Sequence, residues 1–112
     1  MILKDKVVYS NKWFAIVARK IKNQIDPYYI LKTNDFVTIY AKDSGGGILL
    51  VRQFRPALNK YTVEFPSGHV EKNETPLQAA KKELLEETGY TAKKFKLLKI
   101  VHHDTARLNN KL

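Results

Sequence analysis

The chain has no cysteine among its 112 residues, which excludes a disulfide framework and thiolate chemistry and fits a reducing compartment. It has no long apolar run either. The N-terminal stretch MILKDKVVYSNKWF is broken by charge every few residues, so neither a secretory signal nor a membrane span is expected. Internal repeats and low-complexity linkers are missing. Acidic residues are scarce, 11 against 20 lysines and arginines, for a net charge of +9. These absences leave a soluble, cytoplasmic, single modest domain as the expectation.

What is present suits a globular core: 44% apolar and 11% aromatic residues. The basic excess invites a nucleic-acid partner. Its distribution argues otherwise. Lysines are scattered, with local density at Lys81–Lys82 and at Lys93, Lys94, Lys96 and Lys99, whereas six of the 11 acids fall between Glu64 and Glu87. A basic body with one acidic pocket suits a small anionic substrate meeting a metal, and a nucleic-acid partner is not expected.

The first half reads as strands: Lys6–Tyr9, Trp13–Ile21, Tyr28–Lys32 and Asp35–Lys42, with a turn at Asn23–Pro27. DSGGG at Asp43–Gly47 predicts an antiparallel hairpin between Phe36–Ala41 and Ile48–Phe54. Pro56 ends that strand and Tyr61–Phe65 supplies another. Pro66-Ser67-Gly68 is expected to break regular structure. A helix is predicted from about Thr75 to Thr88, with Thr75 as N-cap, Pro76 in the first turn and Gly89 as C-cap. Leu77, Ala80, Leu84 and Thr88 form its predicted stripe, with Leu85 beside them facing the core. Phe95–His102 reads as a final strand. The adjacent His102 and His103 point opposite ways on it, which suits no shared metal.

The helix carries Glu83, Glu86 and Glu87 on one side, because positions i, i+3 and i+4 share a helical face. Three carboxylates so placed repel one another, and a divalent cation between them relieves that repulsion. Hard oxygen ligands of this kind, with a backbone carbonyl from the Pro66-Ser67-Gly68 turn, suit Mg²⁺ or Mn²⁺.

The spacing Gly68, five residues, Glu74, seven residues, then Lys82-Glu83-Leu84-Leu85-Glu86-Glu87-Thr88-Gly89-Tyr90 resembles the Nudix box, with lysine at position 82 where the family has arginine. Val51-Arg52-Gln53-Phe54-Arg55 and Glu64-Phe65-Pro66-Ser67-Gly68 are similar to the pattern of that family's ADP-ribose pyrophosphatase branch. The resemblance implies an α/β (α+β) Nudix fold, a mixed sheet with the box helix. Residues 1–34 would form a β-rich dimerisation subdomain and 35–112 the hydrolase domain. It further implies strands and a second helix that follow the box, so the chain is expected to be incomplete at its C-terminal end.

The implied activity is Mg²⁺-dependent hydrolysis of a nucleoside diphosphate derivative, ADP-ribose first, by a homodimer without membrane attachment. Mn²⁺ is an alternative ion. Glu83 and Glu87 would be the principal metal ligands, Glu86 a further ligand or the water-activating base, and the Ser67 carbonyl a backbone ligand. Glu74 would support the site, and Gly68 and Gly89 would shape it. Lys82 stands where arginine orients a catalytic carboxylate; it keeps the charge and loses the fork of donors. Arg52 and Arg55, three apart, share a direction only across a bulge, so one would contact diphosphate and the other support the fold. Glu64 would lie in the second metal shell. Trp13, Phe14, Tyr28 and Tyr29 would pack in the core or the dimer, with adenine stacking as the alternative. Two rival functions are a non-catalytic nucleotide-sugar binder and an RNA 5′-end pyrophosphohydrolase.

Overall fold

The computed structural model describes all residues from Met1 to Leu112. Its elements run β1 (Ile2–Ser10), β2 (Phe14–Ile21), β3 (Tyr28–Thr33), β4 (Phe36–Thr38), β5 (Val51–Arg55), β6 (Lys60–Glu64), β7 (Ser67–His69) and α1 (Pro76–Thr88). The strands form three ladders, β1-β2-β3, β4-β7 and β5-β6, all antiparallel. Parallel pairing is confined to a bridge between Leu31 and Leu108. No helix is long and apolar enough to cross a membrane. The chain divides into two compact units, Met1–Asp35 with Lys99–Leu112, and Phe36–Leu98.

In the first unit, β1, β2 and β3 form a meander whose buried centre is the pair Val17 and Ile30, opposite each other on β2 and β3 and almost wholly covered, while Val7, across from Val17 on β1, stays exposed. The β2–β3 turn bends at Asn23, which takes a left-handed φ of 66° that asparagine tolerates. The tail runs beside β3: the Leu31 amide donates to the Arg107 carbonyl at 2.8 Å, and Val101 and Leu112 exchange backbone bonds at 3.0 and 2.9 Å. Phe95–His102 is not a strand, contrary to expectation. Its lysines at 96 and 99 interrupt the apolar residues, and Leu97, Leu98 and Ile100 stay exposed. Trp13 is exposed with the Lys12 ammonium 4.5 Å over its ring, and Tyr28 donates its hydroxyl to the Ala106 carbonyl.

In the second unit the predicted hairpin is only partly made. The DSGGG loop closes through Asp43, whose Oδ1 accepts from the Gly45 and Gly47 amides at 2.9 and 2.8 Å, and Lys42 bridges Ile48. The flanking segments then diverge: β4 pairs with β7 and β5 with β6. The Pro66-Ser67-Gly68 segment, expected to be irregular, supplies strand β7, with Ser67 opposite Thr38 and Gly68 opposite Val37. Proline has no amide hydrogen to donate, yet its carbonyl accepts from the Ile39 amide at 2.8 Å, so Pro66 enters the ladder as an acceptor.

Helix α1 starts and stops where the sequence places it. Thr75 Oγ1 accepts from the Gln78 amide at 3.1 Å while Gln78 Oε1 accepts from the Thr75 amide at 2.8 Å, a reciprocal capping box. Gly89 ends it at φ 74°, a left-handed turn that a side chain would resist. Its buried face differs from the expected stripe. Ala79 and Leu84 are fully covered, whereas Leu77 and Leu85 are half exposed. The inward face therefore runs through Ala79, Glu83, Leu84 and Glu87, against β7 and β4. Thr75→Ala removes the cap and should lower unfolding free energy by about 1 kcal/mol, read as a lower urea midpoint with an unchanged slope.

Candidate metal and diphosphate site

The rotation of α1 divides its three glutamates. Glu83 and Glu87 lie half-buried on the inward face, and Glu86 is exposed. Glu83 lies across Gly68: a Cβ built there would stand 2.2 Å from Glu83 Cδ and 2.5 Å from its Oε1. Gly68 sits in β7, outside the positive-φ glycines. Its importance is therefore the missing side chain, which opens room for a carboxylate, and not the turn expected from sequence. Burial raises the Glu83 pKa above the ordinary value, and the charges of Glu86, Glu87 and Glu74 add to the rise while Lys82 opposes it. Glu87 Oε2 is buried with no hydrogen-bond partner. A desolvated carboxylate and an orphaned carboxylate oxygen, one helical turn apart, are both costly without a counter-charge.

The surrounding residues are tied in pairs. Lys82 Nζ lies 3.1 Å from Glu74 Oε2 and 3.9 Å from Glu83 Oε1. Glu74 Oε1 in turn accepts from the Glu71 amide at 3.0 Å, and that bond, followed by Lys82, lowers its pKa. Lys82 thus joins the loop before the helix to Glu83 through single contacts. Arg55 forks onto Glu64 at 2.7 and 2.6 Å, and Thr62 donates its hydroxyl to the same carboxylate. These bonds hold Glu64 far below its usual range, at about 2. Thr62 was not singled out in the sequence; its signal is its i, i+2 spacing to Glu64, which puts both on one strand face. The charge of Glu87 also raises the Arg55 pKa, after the larger effect of Glu64.

Strand β5 pairs in unbroken register from Val51 to Arg55, with no bulge. Arg52 and Arg55 therefore face opposite ways. Arg52 stacks 3.9 Å over the Tyr61 ring, and Phe54 meets Tyr61 edge-on at 5.4 Å. Arg55 is the one that meets Glu64. Ser67 lies beside Gly68 on β7, and Gly89 caps the far end of α1.

The donor set is all oxygen, the chemistry that Mg²⁺ and Mn²⁺ favour. No three acidic or histidine side chains yet converge on one point. Glu83 and Glu87 are four apart on the helix, with Cβ atoms roughly 5–6 Å apart, so side-chain rotation alone brings both onto one ion. The orphaned Glu87 oxygen and the raised Glu83 pKa fit a cation as the missing partner.

Two measurable consequences follow from these charges. The Glu83 pKa is raised on folding, so its negative charge opposes folding at neutral pH and that penalty fades as pH falls through the raised value. Glu83→Gln should leave the metal-free protein at least as stable as wild type at pH 7, and should abolish the rise in melting temperature on adding Mg²⁺ or Mn²⁺. Glu64 behaves oppositely: its pKa is depressed to about 2, so its contribution is present above the unfolded value and is lost as pH falls from about 4.5 to about 2. An Arg55→Met variant should lose that part of the acid sensitivity in pH-dependent urea melts.

The NUDIX domain model matches residues 32–111. The chain is 48% identical to the ADP-ribose pyrophosphatase of Bacillus subtilis (strain 168) over 65 residues, 58% of this chain and 35% of that protein. It is 30% identical to the methanol dehydrogenase activator of Bacillus methanolicus over 107 residues, 87% of this chain and 57% of that one. A crystal structure of an ADP compounds hydrolase superposes with a TM-score of 0.80 at 24% identity, covering 99% of this chain and 62% of that chain. The chain therefore spans between about a third and three fifths of the length of these proteins. With its glycine, its upstream glutamate and its acidic helix in the matched segment, the chain belongs to the NUDIX domain family.

Proposed function

We propose that this chain carries the metal and diphosphate site of a pyrophosphohydrolase acting on nucleoside diphosphate derivatives, with ADP-ribose as the first substrate. The observation that carries the reading is the pair Glu83 and Glu87, turned inward and left without sufficient counter-charge beside Gly68. The similarity to an ADP-ribose pyrophosphatase supports the choice of substrate.

A divalent cation bound there, Mg²⁺ or Mn²⁺, would screen charge on the diphosphate and acidify water. Glu83 and Glu87 are the ligands we assign to it, with the Ser67 carbonyl from β7. Glu86, exposed one turn along, is free to hold water or to take its proton. Lys82 keeps Glu83 from swinging away and anchors it to Glu74. Arg55, aligned by the Glu64 fork, presents fixed positive charge to the diphosphate. Arg52 faces away and serves the β5–β6 hairpin through Tyr61. Water adds to one phosphorus, the bridging P–O bond breaks, and AMP and ribose 5-phosphate leave. Assembly as a homodimer through β1 accords with this strand's free outer edge and its exposed Ile2, Leu3, Val7, Val8 and Tyr9.

Incubation of the chain with ADP-ribose and Mg²⁺ should yield AMP and ribose 5-phosphate, followed by chromatography. Glu87→Gln should cut kcat by at least ~100-fold, because several kcal/mol of charge stabilisation is withdrawn. Absence of turnover in folded wild-type protein, with tight ADP-ribose binding retained, would replace hydrolysis by a binding role. Gly68→Ala supplies a separate test: its methyl would stand 2.4 Å from Glu83 Cγ and displace that side chain, so the variant, with folding checked by circular dichroism, should lose most of the Mg²⁺-dependent activity.

A further inference from the structure

The register of β1, β2 and β3 sorts charges that look scattered in the sequence. Asp5 is the only acidic residue in the three strands. It lies on the face of Val17 and Ile30, where it forks onto Arg19 at 2.9 and 3.0 Å and reaches Lys32 at 3.9 Å. The opposite face holds Lys4 directly across from Lys20, and Lys6 across from Ala18, which is itself across from Tyr29. These lysines are exposed, make no ion pair, and have no carboxylate on their face. Like charges opposed on neighbouring strands cost stability and call for an anion between them.

Aromatic rings share this face. Tyr29 is about half exposed, and small Ala18 lies between it and Lys6. Because strands lie ~4.8 Å apart, Lys6 and Tyr29 flank a shallow bay ~10 Å across at the backbone, floored by Ala18. Further along, Tyr9 lies opposite Ile16, and its ring centroid is 6.1 Å from that of Phe14. At ~3.4 Å per residue, the row of Ala18 and the Phe14 row are ~14 Å apart. Cationic side chains to track a backbone, with exposed rings on which non-adjacent bases can stack, are the two components of a single-strand nucleic-acid platform. A lipid surface needs the charges but not the separated rings.

We propose that this face, Lys4, Lys6, Lys20 and Tyr29 with the Tyr9–Phe14 pair, binds single-stranded nucleic acid. The lysines take phosphates and Tyr29 stacks on a base. The surface belongs to the unit that contains Met1–Asp35 and uses none of the acidic helix, so it stands independently of the catalytic reading and shares only Tyr9 with the proposed β1 dimer edge.

The test is fluorescence anisotropy of end-labelled 12-nucleotide oligo-U RNA, oligo-dT and a duplex, from 50 to 200 mM NaCl. Wild type should bind the single strands with steep salt dependence and the duplex more weakly; a preference for RNA over DNA would assign the ligand to RNA. Lys4→Gln, Lys6→Gln, Lys20→Gln together should lower the log–log salt slope by about 2, at ~0.7 per phosphate. Tyr29→Ala should weaken binding about tenfold. Lys93→Gln, Lys94→Gln, Lys96→Gln together is the control for non-specific charge and should change neither. All variants are surface changes, checked for folding by circular dichroism. The proposal is overturned by no single-strand binding at 50 mM NaCl, or by equal loss in the control. Binding of phosphatidylserine vesicles alone, or a light-scattering dimer that the face variants dissociate, would overturn it in favour of a membrane or a second copy.

Discussion

The contact between Glu83 and Gly68 governs the second unit. A carboxylate can lie over a strand only where that strand has no side chain, and Gly68 supplies the gap. Once Glu83 is there, water is withdrawn from it and its charge becomes expensive. Glu87, one turn on, is placed by the same helix rotation and leaves an oxygen without a partner. Lys82 supplies only part of the counter-charge, because it is shared with Glu74. The packing of α1 on β7 thus holds an electrostatic deficit that a cation would fill.

The remaining pairings keep other charges from filling that deficit. The Arg55 fork is already engaged by Glu64, with Thr62 securing the same carboxylate. Its charge stays available at longer range while its geometry is fixed. A lysine at that position would not be held in two places at once. Lys82 illustrates the difference, reaching its two partners at 3.1 and 3.9 Å through a single nitrogen.

Much of this was legible in the sequence because it depends on local chemistry. Thr75, Gln78 and Gly89 delimit α1 through bonds made within a few residues. The glutamate spacing followed from helical periodicity. What was not legible depends on partners distant in the chain. The DSGGG loop is a strong local turn, yet β4 pairs with β7, some thirty residues away, since ladder choice is decided by packing against α1. The helix stripe is legible at Leu84 but not at the alanines: Ala80 and Ala79 are equivalent by composition, and it is Ala79 that is fully covered. The Phe95–His102 segment reads as a strand in sequence but joins no ladder. Charge was the hardest to read. Lys4, Lys6 and Lys20 are dispersed in sequence and become a cluster only through the β1–β2 register.

The most direct measurement is the titration of the Glu83 side-chain carboxyl by carbon-13 NMR, with and without Mg²⁺. A midpoint above that of an ordinary glutamate is expected in metal-free protein, falling well below it when Mg²⁺ is added. A midpoint at the ordinary value that Mg²⁺ leaves unmoved would contradict it, because Glu83 would then be neither desolvated nor a ligand.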